Sequence, residues 1–259
     1  YAASKGVSNL HFTISEEQQD AFEKIILDVK EKVENASETK INIDFSYQHK
    51  STDTIAANLK GGPFRLENGQ LFFRPRGHGA LIQNLNDLNG DVIFIKNIDN
   101  VIQNHISEIS LYKKALAGIL IEIQEKIFFY LKELESERAN KELIDEIVDF
   151  AKNKIHCPVI SDFSKYTKES KIEHLQEILN RPIRVCGMVK NEGEPGGGPF
   201  WVRGEKGNLS LQIVESSQVD LQNLTQAKIM AQSTHFNPVD LVCGVKDYKN
   251  DKFDLTQFI

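Results

Sequence analysis

Asp91-Val92-Ile93-Phe94-Ile95-Lys96 sets four apolar residues in a row between two charges, the pattern of a strand covered on both faces in an α/β sheet. Just upstream, Ala80 to Leu88 places Leu81, Ile82 and Leu85 on one helical face. Further out, Leu10, Phe12 and Ile14 alternate with His11 and Thr13 as one strand, and Ile41, Ile43, Phe45 and Tyr47 alternate with polar residues as another. Between those two, Ser15-Glu16-Glu17-Gln18 reads as an N-cap with a capping box, opening a helix through Ala21, Phe22, Ile25, Ile26, Val29 and Val33. Strand, helix and strand alternate, which predicts a parallel, doubly wound sheet. Gly61-Gly62-Pro63 and Asn68-Gly69 mark turns in the polar connection that follows.

Downstream, Leu116, Ile119, Leu120, Ile123, Ile127, Tyr130, Leu131 and Leu134 recur at helical steps, and Leu143, Ile144, Ile147, Val148 and Ala151 resume the stripe after a charged break. Two packed helices between roughly Val101 and Lys154 are expected. Ile183 to Val189, Leu209 to Val214 and Leu241 to Val245 are candidate strands. The organisation read from this is a first α/β portion over 1–100, a helical insertion or subdomain over 101–180, and the remaining sheet portion over 181–259.

The 259 residues are 40% hydrophobic and 26% charged, the usage of an ordinary globular protein. The longest uncharged apolar run, Ala115 to Ile121, is far below the ~20 residues of a membrane span, and no signal pattern opens the chain. A net charge of -6 offers no general footprint for nucleic acid or an anionic membrane, so neither is expected as a partner. Cys157, Cys186 and Cys243 are too few and scattered for a disulfide framework, which fits a reducing cytoplasm. The chain opens at Tyr1 and stops in the strand-like Asp-Leu-Thr-Gln-Phe-Ile, so it is expected to be a fragment of a longer protein.

Five groups of residues could carry chemistry. Arg74-Pro75-Arg76-Gly77-His78-Gly79 leads two arginines and two glycines into a helix, either an anion pocket of guanidinium and backbone N–H donors or a solvated turn. Lys96-Asn97-Ile98-Asp99-Asn100 leaves the apolar strand at its carboxyl end, where open α/β sheets bind ligands. Asp99 is the metal candidate, since Mg²⁺ is commonly held by one carboxylate and substrate phosphates; the alternative is an Asx turn. Gly193 to Gly198 is either a mobile lid or a loop whose backbone lies against a sugar or phosphate. Glu215, and Asp240 after Phe236-Asn237-Pro238-Val239, could join Asp99 as carboxylates around a cation, or make turn contacts. Phe45 to Thr54 ends a strand in a dense run of hydrogen-bonding side chains.

Several of these motifs, with His11-Phe12-Thr13-Ile14-Ser15, Ser51-Thr52-Asp53-Thr54-Ile55-Ala56, Arg184 to Asn191, Gly193 to Phe200 and Thr234 to Asp240, resemble along nearly the whole chain a bacterial family known as domain of unknown function 4301. More distantly, their order is similar to that of the eukaryotic-type UDP-sugar pyrophosphorylases. Gly77-His78-Gly79 resembles the element near nucleotide and sugar in those enzymes, and Asn97-Ile98-Asp99-Asn100 their Asn-x-Asp-Asn element, with the aspartate implied to lie beside metal and phosphates. Val214-Glu215-Ser216-Ser217 resembles a sugar-contacting Val-Glu-Tyr-Ser segment, with Ser216 in place of tyrosine, and Phe236-Asn237 keeps two residues of Phe-Asn-Thr-Asn.

The resemblance implies a glycosyltransferase-A-like (Rossmann-like) mixed sheet flanked by helices, and Mg²⁺-dependent transfer of a nucleotidyl group to a sugar 1-phosphate. In that reading Asp99 holds Mg²⁺ with Asp240, and Arg74 and Arg76 neutralise phosphate. Gly77, His78 and Gly79 shape the base or sugar pocket, while Asn97, Asn100, Gly196, Gly197, Glu215 and Asn237 bind substrate. The alternative is a nucleotide- or sugar-binding protein without turnover, because the glycine-rich triphosphate loop of those enzymes is not among these residues and is expected upstream.

Overall fold

The computed structural model describes every residue except 76, 99, 100, 102, 103, 137, 195, 205–208 and 259, with residue 78 described by its backbone alone. Two compact units divide it: residues 1–89 with 254–259, and residues 90–253.

In the first unit, β1 (Val7–Ile14), α1 (Gln19–Ser37) and β2 (Lys40–Tyr47) form a strand–helix–strand unit with β1 and β2 parallel. Ser15 and Gln18 make the expected capping box, around a 3₁₀ turn at Glu16–Gln18 that leads into α1. The helix docks through Phe22, whose ring lies 5.5 Å from Phe12 and 6.3 Å from Phe45. Phe12 and Phe45 are themselves register partners, stacked at 5.9 Å, so three aromatic rings tie the helix to the strand pair. Ile25, Val29 and Val33, through which the helix was expected to run, lie on it but are exposed. The stripe that turns inward is Phe22, Ile26, Lys30 and Glu34, and Glu34 Oε1 accepts the Ile41 N–H at 2.7 Å.

Past β2, β3 (Thr54–Ile55) and β4 (Phe73–Arg74) pair antiparallel at the base of a tight excursion. Three backbone hydrogen bonds close a ring there: Ala56 N–H to Phe72 O at 2.9 Å, Phe72 N–H to Phe64 O at 3.1 Å, and Phe64 N–H to Ala56 O at 2.7 Å. The expected turns at Gly61 and Gly69 supply the positive φ, 80° at each, that the two reversals need. A 3₁₀ turn over His78–Leu81 then runs into α2 (Ile82–Asp87).

The second unit begins with β5 (Val92–Lys96), followed by α3 (Ile106–Glu135), α4 (Lys141–Asn153) and α5 (Lys168–Leu179). Its sheets use β6 (Ile183–Cys186), β7 (Val189–Lys190), the hairpin β8 (Gly198–Arg203) and β9 (Leu209–Val214), and, after α6 (Leu224–Ala231), β10 (His235–Phe236) and β11 (Asp240–Gly244). The strand order β5-β11-β6 makes β11 the centre of an antiparallel trio, and Val242 and Cys243 on it are buried. This corrects the expectation of a parallel sheet around Val92–Ile95. A continuous apolar run signals cover on both faces and is silent on neighbour direction, which the arrival of β11 from the far end of the chain decides. Among the described residues β1–β2 is the parallel pairing, and the architecture is mixed α/β with small sheets.

The helical stripe packs as the spacing requires except at Ile119, which is exposed. Ile127, Tyr130, Leu131 and Leu134 of α3 share a buried core with Ile144 and Ile147 of α4 and Leu175 and Leu179 of α5. Full burial of each such side chain is worth about 1.5–3 kcal/mol. Asn140 caps α4 by accepting the Leu143 N–H at 2.9 Å. Helix α5 is absent from the sequence reading, where its charge made it a polar connection. No helix among the described residues is long and apolar enough to cross a membrane.

Candidate functional site

Alternation on a strand sends His11 and Thr13 to the face of β1 opposite Phe12. On the neighbouring strand Ser46 is the register partner of Thr13, and its hydroxyl gathers a network at the carboxyl ends of the parallel pair. Ser46 Oγ lies 2.8 Å from His11 Nε2 and 3.1 Å from Thr13 Oγ1. It also accepts from Asn84 Nδ2 at 2.9 Å, and the same amide donates to Tyr47 O at 2.7 Å. With one lone pair taken by Asn84, the hydroxyl has one proton to give, to the histidine or to the threonine. Asn84 is 4% exposed, yet its Oδ1 has no hydrogen-bond partner among the described residues, an unusual deficit for a buried amide.

Sequence reasoning missed His11, Thr13 and Asn84 as site residues. The available signal was the polar half of the β1 alternation, since a parallel strand is ordinarily covered on both faces.

In the same unit Arg74 is exposed on β4, opposite Thr54. Gly77 precedes the 3₁₀ turn and accepts the N–H of buried Ala80 at 2.9 Å. A Cβ added at Gly77 or Gly79 would meet nothing within 4 Å, and neither φ is positive. The fold itself therefore gives no steric reason for glycine at either position. Arg76 and the His78 side chain lie outside the described residues, as do Asp99 and Asn100.

The second unit gathers Gly196, Gly197, Glu215 and Asn237 into one packed neighbourhood. A Cβ on Gly196 would come within 2.7 Å of the Phe236 ring, and one on Gly197 within 2.5 Å of Ile213 Cγ2 and 2.8 Å of Glu215 Oε1. Close packing is what requires glycine at these two positions. Glu215 is exposed, and its N–H donates to Gln218 Oε1 at 2.9 Å in a capping box. Asn237 is buried, donating to Gly187 O at 2.6 Å and accepting the Val239 N–H at 3.0 Å. Asn97 is half-buried at the first position past β5.

Asp240 opens β11 opposite Lys96, the last residue of β5. Its Oδ2 is 3.0 Å from Lys96 Nζ and its Oδ1 is 2.5 Å from Lys113 Nζ on α3. Lys96 also donates to Pro238 O at 3.0 Å. The cation that the sequence reading gives to Asp240 is thus supplied by two ammonium groups, and a metal ion would first have to displace one of them. Among the described residues no three His, Cys, Asp or Glu side chains cluster in a way that could hold a metal. Asp240 in this arrangement does not fit Mg²⁺.

These elements define a mixed α/β protein with a polar strand-end site in one unit and a lysine-rich one in the other. The chain belongs to the family designated domain of unknown function 4301 (DUF4301), whose model matches residues 1–259. No curated protein and no solved structure matches it.

Proposed function

We propose that the chain is a nucleotidyltransferase of glycosyltransferase-A-like fold that moves a nucleotidyl group onto a sugar 1-phosphate and releases pyrophosphate. The observation that carries the reading is the β1–α1–β2 unit, whose parallel strands end in the Thr13–Ser46–Asn84 network. Ligands of open α/β folds collect at such carboxyl ends. Gly77 and Gly79, with open space where a side chain would stand, support it further, because a backbone that must let a base or sugar approach closely has a reason for glycine that the fold lacks.

In this reading Arg74 and Arg76 neutralise phosphate oxygens, Gly77, His78 and Gly79 shape the base or sugar pocket, and Glu215 bonds sugar hydroxyls. Asn97 and Asn100 flank Asp99. Gly196, Gly197 and Asn237 bind substrate. The chain's contribution is positioning and charge neutralisation, which an in-line displacement at phosphorus chiefly needs. Mg²⁺, held at Asp99, would supply further neutralisation of the phosphates.

Asp99→Ala is the test. Pyrophosphate release, assayed over panels of nucleotides and sugar phosphates, is expected to fall by at least two orders of magnitude; undiminished turnover removes Asp99 from the reaction. The second reading, a nucleotide- or sugar-binding protein without turnover, is favoured by the two ammonium groups on Asp240. It expects calorimetric binding of the same ligands with no pyrophosphate formed.

A further inference from the structure

Asparagine precedes glycine twice in the chain, at Asn68–Gly69 and at Asn89–Gly90. Such a pair has an internal reaction open to it, because glycine has no Cβ to keep its backbone nitrogen away from the preceding side-chain amide, and asparagine is thermolabile for this reason. Both pairs are within reach of water, since Asn68 and Asn89 are exposed. What separates them is how firmly the reacting atoms are held.

At Asn68–Gly69 each of those atoms is engaged. The Gly69 N–H donates to Leu66 O at 2.8 Å, and the Gly69 carbonyl accepts from Arg65 Nη1 at 2.8 Å. Asn68 Oδ1 accepts the Gln70 N–H at 3.0 Å, and Asn68 Nδ2 donates to Gln70 Oε1 at 3.1 Å. A bridge between Arg65 and Leu71 closes the turn behind them. For the nitrogen to reach the amide carbon, several of these bonds must break together.

Asn89–Gly90 lacks such ties. The Leu88 N–H bonds to Leu85 O at 3.2 Å and ends α2, and regular structure resumes at Val92, the register partner of Gly244. Among the described residues, neither the Asn89 amide group nor the Gly90 N–H enters a hydrogen bond. The segment between is anchored at its ends and opens at little cost, as exposed connections with few hydrogen bonds do.

We infer that Asn89–Gly90 is a self-modification site, at which the asparagine converts to aspartate and isoaspartate while the turn at Asn68–Gly69 protects the other pair. The Gly90 nitrogen, its proton lost to solvent base, bonds to Asn89 Cγ; the Cγ–Nδ2 bond breaks, and the amide nitrogen leaves as ammonia from a closed succinimide ring. Water then opens the ring. Opening at Cγ leaves aspartate, and opening at the backbone carbonyl carbon leaves isoaspartate, whose chain runs through the side chain. Water is consumed and ammonia released, with no change of oxidation state. The new carboxylate stands two residues before Asp91, whose Oδ1 holds Lys246 Nζ at 2.7 Å, at a peptide bond where the chain passes from one compact unit into the other. None of this depends on nucleotidyl transfer.

The experiment is incubation of the whole protein in mildly alkaline buffer made with heavy-oxygen water, followed by digestion and tandem mass spectrometry of the peptides carrying residues 68 and 89. The heavy label separates conversion in the folded protein from conversion during digestion. In the native protein residue 89 is expected to convert about tenfold faster than residue 68, or more, with isoaspartate among the products, and in denaturant the two rates should come within a few-fold of each other. Asn89→Gln, whose ring closure is slower, is expected to remove the product at 89 and leave residue 68 unchanged. Equal native rates, faster conversion at 68, or a preference that persists undiminished in denaturant overturns the inference. Aspartate formed without isoaspartate overturns the ring closure, and so does a native residue 89 that stays intact while the denatured chain converts there.

Discussion

Tyr130 on α3 donates its hydroxyl to Glu146 Oε1 on α4 at 2.6 Å, and Lys126, one turn back on α3, reaches the same oxygen at 2.9 Å while its ammonium lies 4.6 Å from the centre of the Tyr130 ring. The Tyr130 hydroxyl first, and the Lys126 ammonium after it, hold the Glu146 carboxyl below its ordinary range. Burial and the Glu146 acceptor push the Tyr130 hydroxyl up, and the Lys126 ammonium is pushed up chiefly by Glu146. A depressed acid adds stability that is complete above its unfolded value and lost as pH falls through the folded one; a raised hydroxyl or ammonium loses its share as pH climbs past the folded value. The helical pair should therefore be most stable between about pH 5 and pH 10. Removing the hydroxyl by Tyr130→Phe is expected to cost about 1 kcal/mol at pH 7, read as a lower denaturant midpoint. The difference from wild type should shrink only as pH falls through the depressed folded value of Glu146, below the ordinary carboxyl range, where the carboxyl becomes protonated. A constant difference down to pH 2 would show that the pair contributes nothing through charge.

The core that this contact borders makes a simpler prediction. Ile147 and Leu175 are fully buried, on α4 and α5. Truncating either to alanine is expected to cost about 2–5 kcal/mol, measured by urea denaturation, whereas Ile119→Ala on the exposed side of α3 should stay within about 0.5 kcal/mol of wild type. Leu175→Ala matters most, because a loss near zero would mean that α5 does not belong to the bundle core.

The helical stripe of α3 and α4 was legible because its period is local, with each apolar residue announcing the next one three or four places on. Helix α5 was not, since its inward residues Leu175 and Leu179 are diluted by charge. Strand direction at β5 was illegible for a different reason: the partner that sets it, Asp240 to Gly244, lies about 150 residues further along the chain. The candidate sites divide in the same way. Glycines, Asp240 and Asn237 could be picked out as residue types, but the lysines on Asp240 come from a strand end and a helix, and no spacing rule joins Lys96 to Lys113.

Cys243 sits on the central strand, where burial, with the neighbouring Cys186 thiol adding to it, pushes its thiol up to about 12. Since the thiolate is the nucleophile, alkylation of Cys243 by iodoacetamide at pH 8 is expected only as fast as the protein opens. Burial raises Cys157 and Cys186 as well, so all three cysteines should react slowly in buffer and rapidly in denaturant. Mass spectrometry of modified peptides against time checks this, and fast labelling of Cys243 in buffer would place it on a strand that opens readily.

Two sets of glycines separate what packing demands from what a ligand would demand. Gly197 lies against Ile213 and Glu215 so closely that a Cβ would stand 2.5 Å from Ile213 Cγ2. Gly197→Ala must therefore move the β8–β9 hairpin or its neighbours, at a cost of about 1–3 kcal/mol, seen as a lower melting temperature. Gly77 and Gly79 have open space and ordinary φ values, so alanine at either should leave stability within about 0.5 kcal/mol of wild type. If a base, sugar or phosphate approaches that backbone, the same substitutions should weaken nucleotide-sugar binding by at least tenfold in calorimetry while the melt is unchanged. Stability and binding thus move in opposite patterns at the two positions. Should Gly77→Ala and Gly79→Ala alter neither melting nor the affinity for any nucleotide sugar, the turn at His78 has no ligand to accommodate, and the Thr13–Ser46–Asn84 network beside it becomes a purely internal contact.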